Sequence, residues 1–430
     1  MKKTIIISIA YLSLLVFYSG CEITVKDEVK GYYKNGQLEY VGKQTEEKKQ
    51  TGEWKFYYEN GKLKATVNFI DGVKSGEYKT YYESGGVEEI GTYTNGTIRG
   101  EHKKFHKNGQ LYVNGKFENE KQVGKWEYYY ENGQLDNAGV YINGLHSGVW
   151  ENYFDNGKLQ SAGNYENDNR NGEWKFYYEN GPLKIIENYS NGKTSGKVEM
   201  YHENGKLANT SKFIDDKRTG SYTSYHKNGK LYQNGQYKDN LPTGEWESFH
   251  ENGKLEFKEK LINGEKTGEW ITYYDNGKVD EISKYIEGKS DGDYKCYYKT
   301  GKMKKAGKFK MGKEIGNWEL FFENGKLSQN GNYIAGIKTG EWKEYFENGQ
   351  VKHIGSLDND SKNGLWKGYY INGKLAYEGT FTNGKEIGEW KYYRKNGNLG
   401  RTGKYDNGEE IGEWSYYFED GKLQNKKQFD

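Results

Sequence analysis

The chain is predicted to be all-β: an elongated solenoid or ribbon of about 16–17 stacked antiparallel β-hairpins built on a 24-residue repeat. Three observations predict it. From Gly52 a 24-residue pattern runs to the C-terminus without insertion or deletion, its anchoring glycine returning at 76, 100, 124, 148, 172, 196, 220, 244, 268, 292, 316, 340, 364, 388 and 412. All eleven tryptophans sit two residues after such a glycine, at 54, 126, 150, 174, 246, 270, 318, 342, 366, 390 and 414. Asn-Gly recurs in fourteen of seventeen copies, counting an early one at 35–36; the others read Ser84-Gly85, Thr300-Gly301 and Asp420-Gly421. A fixed period of this size marks units too small to bury a core alone, which stack on their neighbours.

Within a copy, Gly52-Glu53-Trp54-Lys55-Phe56-Tyr57-Tyr58 reads as an outgoing strand. Asn60-Gly61 predicts a two-residue type I′ turn, because both central residues need positive φ. That register sets Glu59 opposite Lys62 and Tyr58 opposite Leu63. The return strand opens on Leu, Val or Met (63, 87, 111 and onward). Six residues later comes an aromatic residue, as at Phe69, Tyr93, Phe117, Tyr141, Tyr165 and Tyr189. Gly or Asp at 72, 96, 144, 168 and 192 marks a second turn before the next anchoring glycine.

Period-2 alternation puts Trp54, Tyr58, Leu63 and Phe69 on one face and Tyr57 on the other. The position of Tyr57 is aromatic in all sixteen copies: Tyr57, Tyr81, Phe105, Tyr129, Tyr153, Tyr177, Tyr201, Tyr225 and onward to Tyr417. Either a bend carries these rings into the tryptophan core, or both faces bear an aromatic stripe. The first makes them a packing ladder; the second makes them a candidate ligand surface. Strands about 4.8 Å apart, two per repeat, predict a ribbon on the order of 150 Å long.

Composition sets the remaining limits. A mean hydropathy of −1.11 would favour disorder, but a 16% aromatic content supplies apolar area suited to pleated surfaces. Formal charge is +2, all of it accounted for by Lys2 and Lys3, and Lys and Glu alternate without a basic block. This excludes electrostatic attraction to nucleic acid or to an anionic membrane as the basis of function.

Residues 1–20 form a separate segment: a positive start, an apolar run from Thr4 to Tyr18, then Ser19-Gly20 before Cys21. This is an export signal, too short and too abruptly followed by polar sequence to span a membrane. The small-small-Cys ending resembles the lipobox of bacterial lipoproteins, with Tyr18 where leucine is usual, and implies lipid attachment at Cys21. Cys296 is the one other cysteine, so no intramolecular disulfide staples the fold once Cys21 is acylated. The expected organisation is a signal peptide at 1–20, a linker and irregular capping hairpin at 21–51, the repeat array at 52–423 and a short tail at 424–430.

Gly-Glu-Trp-x-x-Tyr-Tyr-x-Asn-Gly-x-Leu followed by x-Tyr-x-x-Gly-x-x-x-Gly resembles the variant class of MORN repeats, over residues 31–430. The resemblance implies stacked hairpins in an extended antiparallel sheet with scaffolding or partner-binding roles. Bacterial members are often labelled antitoxins of toxin–antitoxin pairs, so an antitoxin or immunity role is a further alternative. The copies at 102 (His), 198 (Val), 222 (Tyr) and 294 (Tyr) depart from tryptophan. The Trp-x-x-Tyr-Tyr hairpins are also similar to choline- and glucan-binding repeats, whose ligands lodge between aromatics of successive hairpins.

Catalytic and cofactor motifs are not found. Gly192-Lys193-Thr194 and Gly288-Lys289-Ser290 carry Glu187 and Ser283 where a phosphate loop needs glycine. His202, His226 and His250 share one slot in successive repeats, as does His106. At two strands, roughly 9.6 Å, they are too far apart to share zinc, so they stand in for the usual tyrosine. The carboxylates recur at solvated positions such as Glu53 and Glu59, whereas hydrolysis needs one special pair. The sequence therefore predicts a non-enzyme with no catalytic residue, metal or cofactor. It predicts a lipid-anchored protein of the bacterial cell envelope that contacts proteins, touching membrane through its N-terminal lipid only. A glycan- or choline-type ligand on the aromatic ladder is the alternative.

Overall fold

The computed structural model describes residues 28–430; the export segment and Cys21 lie outside the described residues. The described chain folds as 37 β-strands without a helix. Its described residues divide into two compact units, one up to Asn169 and one from Arg170 to Asp430. Within each, hairpins pair antiparallel with their neighbours in chain order.

The first unit opens with β1 (Val29–Tyr32) and β2 (Leu38–Gln44), followed by β3 (Gln50–Tyr57), β4 (Leu63–Ile70) and β5 (Val73–Tyr81). The segment before residue 52, read from sequence as a linker and irregular capping hairpin, carries a hairpin whose turn has the same hydrogen bonds as the later ones, Tyr33 N–H to Gln37 O and Gly36 N–H to Tyr33 O. Residues 424–430, read as a tail, belong to the strand Leu423–Phe429, which closes the last hairpin with Gly412 opposite Phe429.

The first turn is not the type I′ that Asn-Gly predicts. The Tyr58 N–H donates to Lys62 O (2.8 Å) and the Gly61 N–H to Tyr58 O (2.9 Å), so three residues close the loop. Gly61 has φ +79, while Asn60 is not left-handed. This is a type I turn followed by a left-handed glycine, a G1-type bulge. Tyr57 therefore takes Leu63 as its partner, with a register shift between Phe56 and Tyr57, and Glu59 lies in the loop. The physical reason is the Asn60 side chain. Its Oδ1 accepts the Lys62 N–H (2.9 Å), a side-chain-to-backbone bond that favours the longer loop. Type I′ geometry appears instead at the second turn, where Asp71 and Gly72 have φ 48 and 81 and Ile70 faces Val73.

The anchoring glycine also has a backbone task. Ala138 faces Glu151 and Val140 faces Ser147, so the outgoing strand carries two extra residues between those pairs. Gly148, at φ 68, absorbs them.

Trp54, Val67, Phe69 and Tyr78 form one buried cluster in the first unit; Trp366, Phe381, Trp390 and Trp414 form another in the second. Trp54 and Phe69 thus share a face as predicted, while Tyr58 is diverted by the bulge. Most indoles, among them Trp54, Trp126, Trp150, Trp246, Trp318, Trp342, Trp366, Trp390 and Trp414, lie across a glycine of the preceding return strand. A Cβ on Gly115, Gly331 or Gly379 would fall 2.2, 2.2 or 2.0 Å from the ring of Trp126, Trp342 or Trp390. Neighbouring aromatics meet edge-on, as Tyr333 and Trp342 do at 5.2 Å and 85°. Lysine and arginine lie over the rings on this face: Lys338 Nζ is 4.5 Å from Trp342 and Lys362 Nζ 4.7 Å from Trp366. Their stems and charges shield rings that a second layer would otherwise cover.

Candidate functional site

The residue after the uniform aromatic is a repeat-to-repeat staple. Tyr58 Oη donates to the Tyr81 carbonyl (2.7 Å), Tyr130 to Tyr153 (2.7 Å), Tyr274 to Tyr297 (2.7 Å) and Tyr370 to Tyr393 (2.7 Å). His106, His202, His226 and His250 make the same bond through Nε2, at 2.7, 3.0, 2.7 and 2.9 Å. A carbonyl only accepts, so each Nε2 carries the proton. The histidines do stand in for tyrosine, and Arg394 does so for the Tyr417 carbonyl. His250→Phe is expected to lose about 1 kcal/mol and His250→Tyr to lose nothing, by urea unfolding monitored at the second unit.

The turn asparagines form a parallel staple. Asn252 Nδ2 donates to Asp275 O (2.7 Å) while its Oδ1 accepts from the Lys254 N–H (2.9 Å). Lys254 Nζ then reaches Asn276 O (2.7 Å). Asn108, Asn132, Asn204, Asn276, Asn324 and Asn372 bridge to the next turn in the same way.

Tyr57, Tyr81, Phe105, Tyr129, Tyr153, Tyr177, Tyr201 and Tyr225, the candidate ligand surface, are all half-buried. They sit apart from the tryptophans: Tyr129, Tyr153 and Tyr201 donate to Glu127, Glu151 and Glu199, residues on the opposite face (3.1, 2.7 and 3.1 Å). Of the two arrangements open from sequence, the structure has an aromatic stripe on each face. Burial, with Glu151 beside it, pushes the Tyr153 hydroxyl up to about 12.

The copies lacking tryptophan differ locally. His102 is 4% exposed, and burial pushes its imidazole below the ordinary histidine range; Glu89 opposes this and Lys104 reinforces it. The unfolded chain then binds that proton more readily than the folded one. Stability should fall as pH drops below roughly 6.5, the unperturbed histidine value, and His102→Gln should flatten that part of the stability profile. Tyr78 is a fifth copy without tryptophan, its hydroxyl donating to Glu89 Oε1 (2.5 Å). Cys296 lies half-buried with its thiol pushed up by burial.

Sequence reasoning missed the cradle glycines. Their signal is a constant spacing: Gly115, Gly139, Gly235, Gly307, Gly331 and Gly379 each lie eleven residues before a tryptophan. At Trp270 that slot holds Glu259. Trp270 is only half-buried, the Lys266 ammonium lies against its ring, and burial raises the Glu259 carboxyl. Among the described residues, no cluster of three or more His, Cys, Asp or Glu is placed to hold a metal.

Hairpins stapled turn to turn and glycine to tryptophan define a β-hairpin repeat scaffold. The MORN repeat variant model matches residues 50–71, 74–95, 122–143, 147–167, 170–191, 195–215, 218–239, 242–263, 266–287, 290–311, 314–335, 338–359, 362–383 and 410–430, and the chain belongs to that family. No curated protein matches it. Similar solved structures include the crystal structure of TcdB2-TccC3-TEV, 12% identical over 93% of this chain and 26% of that one, with a TM-score of 0.16. Another is the Photorhabdus luminescens Tc holotoxin pore, 11% identical over 93% and 29%, with a TM-score of 0.14. This chain spans between a quarter and a third of the length of those chains, and likenesses that loose carry no argument about function.

Proposed function

We propose that the protein is a non-enzymatic scaffold, anchored in the bacterial cell envelope through a lipid on Cys21, whose repeats present a surface for protein contact. One observation carries the scaffold reading. The recurring turn asparagines and the tyrosines that follow the uniform aromatic are committed to the fold, as in the Tyr274–Tyr297 and Asn276–Lys299 staples, which points recognition to exposed residues that vary between repeats. Crosslinking of the intact chain in envelope preparations should recover protein partners through such positions, for example exposed Val149 and Leu365. Recovery of none would sink the reading. For the anchor, Cys21→Ser should abolish labelled fatty-acid uptake and release the protein from membranes. Unchanged membrane fractionation without label would place the anchor elsewhere.

A choline-type ligand is the second reading. The half-buried aromatic stripe of Tyr57, Tyr81, Tyr129 and their equivalents, on the face away from the tryptophans, supports it, because ring faces attract a quaternary ammonium. Tyrosine-to-alanine changes in two adjacent repeats should then weaken choline binding measured by calorimetry.

A further inference from the structure

The second-turn edge of the second unit carries apolar side chains that internal packing does not use. Six consecutive second turns present Ile214, Leu241, Ile262, Ile286, Met311 and Ile334, from 46% exposed at Met311 to 63% at Ile334. Scattered exposed aliphatics are ordinary, but at least one in each of six consecutive turns is not: Ile214, Ile262, Ile286 and Ile334 stand just before their turns, Met311 inside its turn and Leu241 just after its own. The turns that bear them are fixed to one another. The Gly264 N–H donates to Pro242 O (2.8 Å), the Gly288 N–H to Lys266 O (3.0 Å) and the Gly312 N–H to Ser290 O (2.8 Å). Docking there would order little that is not already ordered.

Spacing narrows the partner. Successive turns are two strands apart, roughly 10 Å, and a surface can engage the whole row only by sharing that spacing. A second copy of this chain shares it.

Charge sets the direction. In the first three turns (214–217, 238–241 and 262–265), Asp215, Asp216, Asp239 and Glu265 outweigh Lys217 and Lys238. In the last three (286–289, 310–313 and 334–337), Lys289, Lys310 and Lys313 outweigh Glu287; Lys310 also reaches Asp291 (3.1 Å). Parallel pairing of two edges would set like charge on like. Antiparallel pairing sets the acidic half on the basic half, with Glu265 opposite Lys289 and Asp239 opposite Lys313. The two-fold axis then falls between the Ile262 and Ile286 turns. There a recess of about 440 Å³, lined by Ile262, Asn263, Glu265, Lys266, Thr267 and Glu287, can receive Ile286 of the other copy.

We propose that the edge from Ile214 to Ile334 is the isologous, antiparallel interface of a homodimer centred on the Ile262 and Ile286 turns. This goes beyond the scaffold reading and can fail without it. Sedimentation velocity of the full chain over a range of concentrations tests it. Wild type should dimerise reversibly, and Ile262→Asp with Ile286→Asp should weaken the dimer about tenfold or more while the far-ultraviolet dichroism is unchanged. Glu265→Lys and Lys289→Glu should each weaken it, and the two combined in one chain should restore it. A monomer at every concentration, or a dimer indifferent to the aspartates, overturns the interface. A double reversal no better than either single change overturns the antiparallel arrangement.

Discussion

Trp342→Ala is expected to cost about 3–5 kcal/mol, the range for deleting a buried indole. Trp342 is 2% exposed, rests on Gly331, meets Tyr333 edge-on and donates its Nε1–H to Asn332 O at 3.3 Å. No second layer stands ready to fill the space. Because each hairpin contacts mainly its neighbours, the loss should be local. Hydrogen exchange should show faster opening of residues 327–358, with protection near Trp414 unchanged. Uniform loss of protection through the second unit would refute nearest-neighbour stability here.

Gly331→Ala tests the other half of that contact. The added methyl would stand 2.2 Å from the Trp342 ring, over which the Lys338 ammonium also lies at 4.5 Å. Overpacking of this kind costs about 1–3 kcal/mol. Gly86→Ala is the control: its added methyl meets nothing within 4 Å, and it should change stability by less than about 0.5 kcal/mol. In a Trp342→Leu background the Gly331→Ala penalty should shrink, the signature of a direct contact rather than of glycine's chain entropy. An undiminished penalty would show that the backbone, not the ring, demands glycine.

The repeat period, the hairpins, the tryptophan face and the role of the histidines were all legible in the sequence, because each follows from period or spacing. The turn type was not. Asn-Gly satisfies the positive-φ demand of a type I′ turn, yet Asn60 spends its side chain on the Lys62 N–H and leaves the left-handed conformation to Gly61 alone. That one-residue difference moved Leu63 from Tyr58 to Tyr57. The cradle glycines were passed over for a related reason. They are extended and break no pattern, and only the distance to an indole of the next hairpin gives them meaning. The stripe on the second-turn edge escaped because it involves scattered positions in six copies, each ordinary alone.

The asparagine staples also bear on how this protein ages. Asparagine followed by glycine is the pair most prone to spontaneous deamidation, since the glycine nitrogen can attack the side-chain amide when the backbone is free to bend. In the folded chain that nitrogen is occupied: the Gly253 N–H is held by His250 O at 2.7 Å, and the Asn252 amide is held on both sides. Loss of that amide would remove the Nδ2 donor and set a carboxylate against the Asp275 carbonyl it used to bind. Damage to one turn would thus loosen the next and expose its own asparagine, so chemical wear should travel along the stack from whichever hairpin opens first.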